Sequence, residues 1–340
     1  MAQILVTGGL GFIGSHTVVE LIAAGHEPII VDNLSNSTIS VLDGIAAISG
    51  KRPAFEQVDL KEKSQVQDLF KKYSSIKGII HFAAFKAVGE SVGKPLEYYE
   101  NNLGSLVYIL QEMRDHHLDN LIFSSSCTVY GEADELPITE SSPVKVAISP
   151  YGNTKQVGEE LIQAASEAHD FNVISLRYFN PIGAHPSAQI GESPLGVPLN
   201  LVPFVTQTAA GVREQLSVFG DDYETRDGTN ERDYIHVVDV AKAHVVALGR
   251  LLNRKNEDAY EVYNLGTGKG STVLEVIQSF ERVSASKLNY KIVERRRGDV
   301  TAAYADTTKA NEVLGWFAEK SLDDAIADAW RWEKKIRNID

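Results

Sequence analysis

The chain has 340 residues, 43% hydrophobic and 23% charged, the make-up of a globular protein with one large domain or two modest ones. Its 33 basic and 46 acidic residues give a net charge of −13, which argues against nucleic acid or an anionic membrane as partner. A single cysteine, Cys127, excludes internal disulfides and cysteine-rich zinc sites. With no apolar run near the ~18 residues of a membrane span and no charged leader before MAQILVTGGLG, a cytoplasmic location is expected.

From the N-terminus, short β-rich runs alternate with amphipathic stretches. Strands are predicted at 4–7, 28–31, 54–58, 78–83, 121–125 and 173–178, and helices near 17–24, 65–73, 103–116 and 151–169. This alternation predicts an α/β fold: a Rossmann-type doubly wound parallel sheet with helices on both faces. After Asn180 the pattern loosens, and PIGAHPSAQIGESPLGVP, rich in Gly, Pro and Ser, reads as a long functional loop. Helices near 201–210, 238–252, 272–283 and 322–336 and a strand at 262–265 complete the chain. The expected division is a sheet domain over 1–180, to which 233–266 returns, and a smaller mixed α/β domain over 181–232 and 267–340. The cluster GTGKGST at 266–272 does not fit GxxxxGK[ST] and reads as a strand-to-helix turn. His81, His116, His117, His236 and His244 form no metal-ligand spacing, so no metal is expected.

The first motif is ILVTGGLGFIGSH, in which Gly8, Gly11 and Gly14 follow an apolar strand and open a helix ending at Gly25. Glycines alone are common in turns. In this context they let the backbone approach a pyrophosphate, which the helix N-terminus receives. The next strand delivers Asp32, close to the expected ~20 residues on, where a carboxylate accepts hydrogen bonds from the adenosine ribose. That carboxylate would repel a 2′-phosphate, so NAD is expected rather than NADP. Asp59, ending the third strand, and Lys86, after HFAAF, are further candidate contacts.

The second motif is SPYGNTK. Ser149 is a good N-cap and Pro150 suits the first helical position, which puts Tyr151 and Lys155 four apart on one helix face. An adjacent ammonium and the helix N-terminus would both favour the phenolate, allowing proton transfer near neutral pH. The alternative is that Tyr151 packs and Lys155 is solvated; the cofactor motif decides for a catalytic pair.

With the glycine fingerprint, YGNTK resembles the Tyr-x-x-x-Lys pair of the short-chain dehydrogenase/reductase superfamily, and SSSCTVYG resembles its extended, nucleotide-sugar branch. VTGGLGFIGSH, VDNLSNS, HFAAFKAVGES, SPYGNTK, LRYFNPIGAHPS, RDYIHVVDVAKAH and RRRGDVTAAYAD together resemble the UDP-glucose 4-epimerases from end to end. The resemblance implies tightly bound NAD, a UDP-hexose substrate and a homodimer formed through the helices near 103–116 and 151–169. It makes Tyr151 the acid/base, Lys155 its partner on the nicotinamide ribose and Ser126 the group bonding the reacting oxygen. The cofactor set it implies is Gly8, Gly11, Phe12, Ile13, Gly14, Asp32, Asn33, Asn36, Ser37, Asp59, Phe82, Ala83, Lys86, Asn101, Tyr151, Lys155 and Tyr178.

On the substrate side it implies Lys86, Ser126, Tyr151, Tyr178 and Phe179, with Asn180, Asn200 and Leu201 near the sugar-diphosphate. Ser217, Val218 and Phe219 would line the uracil, Arg232 and Arg296 would neutralise the phosphates, and Asp299 would bind the uridine ribose. Tyr178 and Phe179 either wall the cleft or belong to the core, and Arg295 and Arg297 either serve the diphosphate or sit in a solvated turn. Dehydratases of this branch carry an Asp–Glu pair just before VYG, whereas Cys127 and Thr128 stand here, so loss of water is not expected. The chain departs from many relatives at Leu199, where asparagine is common, and at Arg297. At Ala303, four after Asp299, a small residue leaves room for an N-acetyl group at C2, which implies activity on the N-acetylhexosamine pair as well. Two other readings share the glycines: a net-redox NAD(P)-dependent nucleotide-sugar enzyme, which would release its cofactor, and a non-catalytic NAD sensor, which typically lacks the Tyr–Lys pair.

Overall fold

The computed structural model describes residues 1–296 and 299–339; Arg297, singled out above, lies outside the described residues. Strands β1 (Gln3–Thr7), β2 (Glu27–Asp32), β3 (Ala54–Gln57), β4 (Ile76–His81), β5 (Asn120–Ser126) and β6 (Asn172–Tyr178) come first. Between them lie helices α1 (Phe12–Ala23), α2 (Val41–Ser49), α3 (Lys63–Lys72), α4 (Val88–Gly93), α5 (Pro95–Asp115) and α6 (Pro150–Ala168). Next are β7 (Asn180–Ile182), α7 (Leu201–Ala209), β8 (Leu216–Phe219), β9 (Glu231–Arg232), β10 (Tyr234–His236), α8 (Val237–Leu252) and β11 (Tyr260–Leu265). The chain closes with β12 (Ser271–Thr272), α9 (Val273–Ser284), β13 (Tyr290–Val293), β14 (Ala302–Ala303) and α10 (Leu322–Arg337).

Seven strands form one sheet in the order β11-β6-β5-β4-β1-β2-β3, parallel at every pairing. A parallel sheet is covered on both faces, which is why β1 reads as a continuous apolar run. Ile4 and Val6 pack with residues of α1 and α8, such as Val18 and Ala247, while Leu5 faces the opposite way, toward Leu106 of α5 and Ile162 of α6. The chain order reverses between β4 and β1, and such a switch point is where open α/β sheets bind ligands, beyond the carboxyl ends of the strands.

Beyond the large sheet, Val205, Val218, Phe280 and Ile326 bring α7, β8, α9 and α10 into a separate apolar cluster. The short strands there pair distant parts of the chain: β8 with β13, β9 with both β12 and β14, and β7 with β10. Two- to four-residue strands leave no periodic trace in a sequence, and these, with α2 and α4, were not anticipated.

Several boundaries move for local reasons. β4 ends at His81 rather than at 83, because the Ala83 N–H turns from the ladder to the Thr7 hydroxyl (3.3 Å). α5 begins at Pro95, well before the periodic run, since proline at the first helical position needs no N–H partner. Asp59 does not end a strand; it lies in the turn after β3, where its carboxylate accepts from the Lys61 N–H (3.0 Å).

Candidate active site

The turn leaving β1 is held by the Gly8 N–H on the Val31 carbonyl (2.7 Å), and Gly8 itself has φ +65°, the left-handed region that favours glycine. A Cβ on Gly14 would come within 2.3 Å of the Gly8 carbonyl oxygen, so α1 packs against the turn only with glycine there. Gly11 caps α1 without a side-chain hydrogen bond, which leaves the start of the helix to be satisfied from outside. At the end of β2, Asp32 is held by the glycine turn and by its own loop: Oδ2 accepts from the Leu10 N–H (3.1 Å), and Oδ1 accepts from the Leu34 N–H (2.9 Å) and the Ser37 hydroxyl (2.8 Å). Asn33 caps the Ser35 N–H (3.0 Å), and Asn36 is exposed beside it. Phe12 and Ile13 open α1, and Phe82 and Ala83 follow β4. A cradle that any Cβ would fill, a helix N-terminus and a fixed carboxylate together fit a dinucleotide.

Beside this turn, β5 delivers Ser126, whose hydroxyl accepts from the Thr128 N–H (3.2 Å). Ser149 caps α6 by accepting from the Gly152 N–H (3.1 Å), with Pro150 at the first position, so the predicted start is observed. The same helix carries Tyr151 and Lys155, and the Lys155 ammonium lies 5.9 Å from the Tyr151 ring centroid and 4.9 Å from that of Phe123. It donates to the Ser124 carbonyl (2.5 Å), and the Tyr178 hydroxyl bonds the Ser124 hydroxyl.

Burial pushes the Tyr151 phenol up to about 12, opposed by the Ser126 hydroxyl, and pushes the Lys155 ammonium down to about 8, opposed by Glu159. The expected lowering of the tyrosine is therefore not found in the protein alone: desolvation outweighs the Ser126 hydrogen bond, and the Lys155 ammonium is turned to the Ser124 carbonyl. Beneath the pair, Glu159 accepts from the Ser125 hydroxyl and forms a buried ion pair with Arg177 (2.5 Å), which in turn donates to the Tyr130 hydroxyl (2.9 Å). Burial pushes the Cys127 thiol up to about 12, so it stays protonated.

The residues expected on the substrate side come from several elements. Lys86 and Asn200 are joined through one carboxylate, that of Glu192. Ala303 pairs in register with Arg232 and packs in the same small apolar cluster as Cys127, the neighbour of Ser126. The Arg232 charge acts on Cys127 and also on Tyr223 and Tyr234, both of which feel Asp299, so it lies between the two ends of the candidate site. Arg296 pairs with Asp299 (2.7 Å) and lies 5.5 Å from the Phe219 ring centroid. Asn180 donates its N–H to the Asp233 carbonyl (3.0 Å), next to Arg232, and Leu201 opens α7.

Three expectations are corrected or decided here. Strand alternation turns Val218 into the core, so its side chain does not face the space that Ser217 and Phe219 border. Tyr178 and Phe179 are both buried, the first in the main core and the second against Tyr130 and Ala305. Arg295 pairs with Asp222 (2.6 Å) and stacks over Tyr223, away from Arg296.

Asn101, expected at the cofactor, donates to the Asn102 amide oxygen (3.0 Å). Asn102 was not anticipated. It bonds both backbone groups of Phe85 (2.8 and 3.0 Å) and the Thr154 hydroxyl (3.0 Å), tying the Lys86 loop to α6. Its only sequence signal was its place beside Asn101, just ahead of the expected helix. Among the described residues no cluster of His, Cys, Asp or Glu could hold a metal ion, and no helix is long and apolar enough to cross a membrane.

A seven-stranded parallel sheet with a glycine cradle, a fixed acidic residue and a Ser–Tyr–Lys group defines a dinucleotide-dependent enzyme of the extended short-chain dehydrogenase/reductase class. The family profile of GDP-mannose 4,6 dehydratase matches residues 5–329. UDP-glucose 4-epimerases from Mus musculus and Bacillus subtilis are each 49% identical, with 98% of this chain and 97% and 98% of theirs covered. A Stenotrophomonas maltophila UDP-glucose 4-epimerase structure with bound NAD and formylated UDP-arabinopyranose superposes with a TM-score of 0.96 at 44% identity, covering 99% of both chains. One from Bifidobacterium longum in complex with NAD+ and UDP gives 0.94, also at 44% identity and with 99% of both chains covered. The chain belongs to the GDP-mannose 4,6 dehydratase family and, within it, to the UDP-glucose 4-epimerases.

Proposed function

We propose that the chain interconverts UDP-galactose and UDP-glucose with NAD held throughout the cycle. The observation that carries this reading is the convergence of Ser126, Tyr151 and Lys155 on one end of the sheet, beside a cradle only glycine permits. NAD, when bound, supplies a hydride acceptor that later returns the hydride, and its positively charged ring favours the Tyr151 phenolate. Tyr151 takes the proton of the C4 hydroxyl and gives it back to the same oxygen after the keto sugar has turned over and presents its opposite face for reduction. Ser126 bonds the reacting oxygen, and Lys155 fixes the ribose and supplies positive charge beside the phenol. Arg232 and Arg296 balance the diphosphate, while Asp299 and Phe219 hold the uridine. Asp32, fixed by one donor of the glycine turn and two of its own loop, supports NAD over its phosphorylated counterpart.

The small side chain of Ala303, in the cluster that includes Cys127, supports acceptance of an N-acetyl group at C2. Leu103, Val107, Val157 and Leu161 on α5 and α6 are only half-buried, which supports a homodimer through those helices; the reading includes action in the cytoplasm.

The test is to give dialysed protein UDP-galactose with no added cofactor. UDP-glucose without accumulating NADH is expected, and no product even with NAD added would overturn the assignment. Ala303→Tyr should abolish conversion of UDP-N-acetylglucosamine while sparing that of UDP-galactose; equal loss of both would refute the pocket reading.

A further inference from the structure

Glu192 lies in the irregular segment after β7, and no sequence motif drew attention to it. Its side chain is nine-tenths buried, at 10% exposure, yet Lys86, which it pairs with, is 49% exposed. One carboxylate oxygen, Oε1, accepts from both the Lys86 ammonium (3.1 Å) and the Asn200 amide (2.8 Å). These partners are 114 residues apart by number, one on the loop after β4 and one at the N-cap of α7.

The main chain presenting that oxygen is fixed from outside. The Glu192 carbonyl accepts from the Trp332 indole N–H of α10 (3.0 Å), and Gly191 lies so close under the indole that a Cβ would approach it to 2.5 Å. One bridge joins Ala184 to Gly191, and Gln189 lies against Gly44 of α2. Neither partner is held as firmly through its own side chain. Asn200 caps α7 without a side-chain bond to the helix, and Lys86 is restrained through its neighbour Phe85, which Asn102 grips. A shared acceptor on a well-packed support therefore orients two donors on exposed side chains, of which Lys86 also lies over the Phe12 ring (5.8 Å).

Resting on the function proposed above, we infer that Glu192 is a positioning residue. It fixes Lys86, on the cofactor side, and Asn200, on the substrate side, at the spacing a UDP-hexose bridges. It touches no reacting atom; its effect passes through those two donors. Its charge is compensated by the Lys86 ammonium, so it presents no free negative charge to a diphosphate.

The experiment compares Glu192→Ala and Glu192→Gln with wild type in the UDP-galactose assay, with copurified NAD and melting temperature measured on the same preparations. Glu192→Ala should raise KM about tenfold with kcat within about threefold, and Glu192→Gln, which keeps an acceptor for Asn200, about threefold in KM. In a background that lacks both donors, Lys86→Ala with Asn200→Ala, the same change should add less than about twofold, because both of its routes are already cut. Retained NAD and an unchanged melting temperature are expected throughout. The inference is overturned by an unchanged KM, by full additivity with the Lys86→Ala, Asn200→Ala background, or by a KM rise that appears only with lost NAD and a lowered melting temperature. A wild-type protein that converts no UDP-galactose would instead refute the function on which the inference stands.

Discussion

The turn between β1 and α1 keeps Gly8, Gly11 and Gly14 within one short stretch and works through backbone atoms. The substrate side, as proposed above, draws Glu192, Asn200, Arg232, Arg296, Asp299 and Ala303 from across the chain and works through side chains. The first is intolerant because its contacts are carbonyl oxygens that cannot step aside: a Cβ on Gly14 meets the Gly8 oxygen at 2.3 Å. The second is adjustable. Its ion pairs are part-exposed, as with Arg296 and Asp299, and each such pair contributes little alone. On the proposed function, the cofactor side fixes a geometry, while the substrate side tunes affinity and choice of sugar.

Tyr151 stands where the two regions meet, and its removal should have the largest effect. Tyr151→Phe is expected to lower kcat by about 10³-fold, within the range of lost general acid–base catalysis, with KM and bound NAD nearly unchanged. A loss below tenfold would mean that another group carries the proton. Gly14→Ala tests the rigid side: overlap with backbone should cost about 3 kcal/mol and strip NAD from the purified protein. If bound NAD survived at wild-type levels, the contrast between the two regions would fail.

The third prediction separates them by pH. His16 on α1, His81 on β4 and His244 on α8 are buried, and desolvation lowers them to about 3, about 3 and about 4 from 6.5. A histidine depressed in the folded state contributes stability that is fully present above its unfolded value and lost as pH falls toward the folded one. The window therefore runs from about pH 6.5 downward, and each group should cost about 2 kcal/mol at pH 5 relative to pH 7. All three lie around the cofactor cradle, so urea unfolding at the two pH values should show the loss together with release of NAD. Equal stability at pH 5 and pH 7 would sink this prediction.

How much could be read beforehand follows the same division. The strand, the glycines, Asp32 and the Ser149 cap are local, and each occupied the place its residues implied. The burial that raises the Tyr151 phenol in the protein alone could not be read beforehand, because proximity to a lysine is a sequence fact and burial is not. Val218 was placed in the site when only the sheet partner of β8 fixes which way it points. Glu192 and Asn102 were invisible because their partners are distant in the chain or bonded through its backbone.

By itself, then, the sequence determined the parallel α/β fold, the cofactor turn and the Tyr–Lys helix, because short-range sterics, capping and periodicity act within a few residues. Tertiary structure alone decided the short-strand pairings beyond the large sheet, the protonation of the buried groups and the Glu192 bridge. Those depend on which distant atoms exclude water from one another, and no local pattern records that.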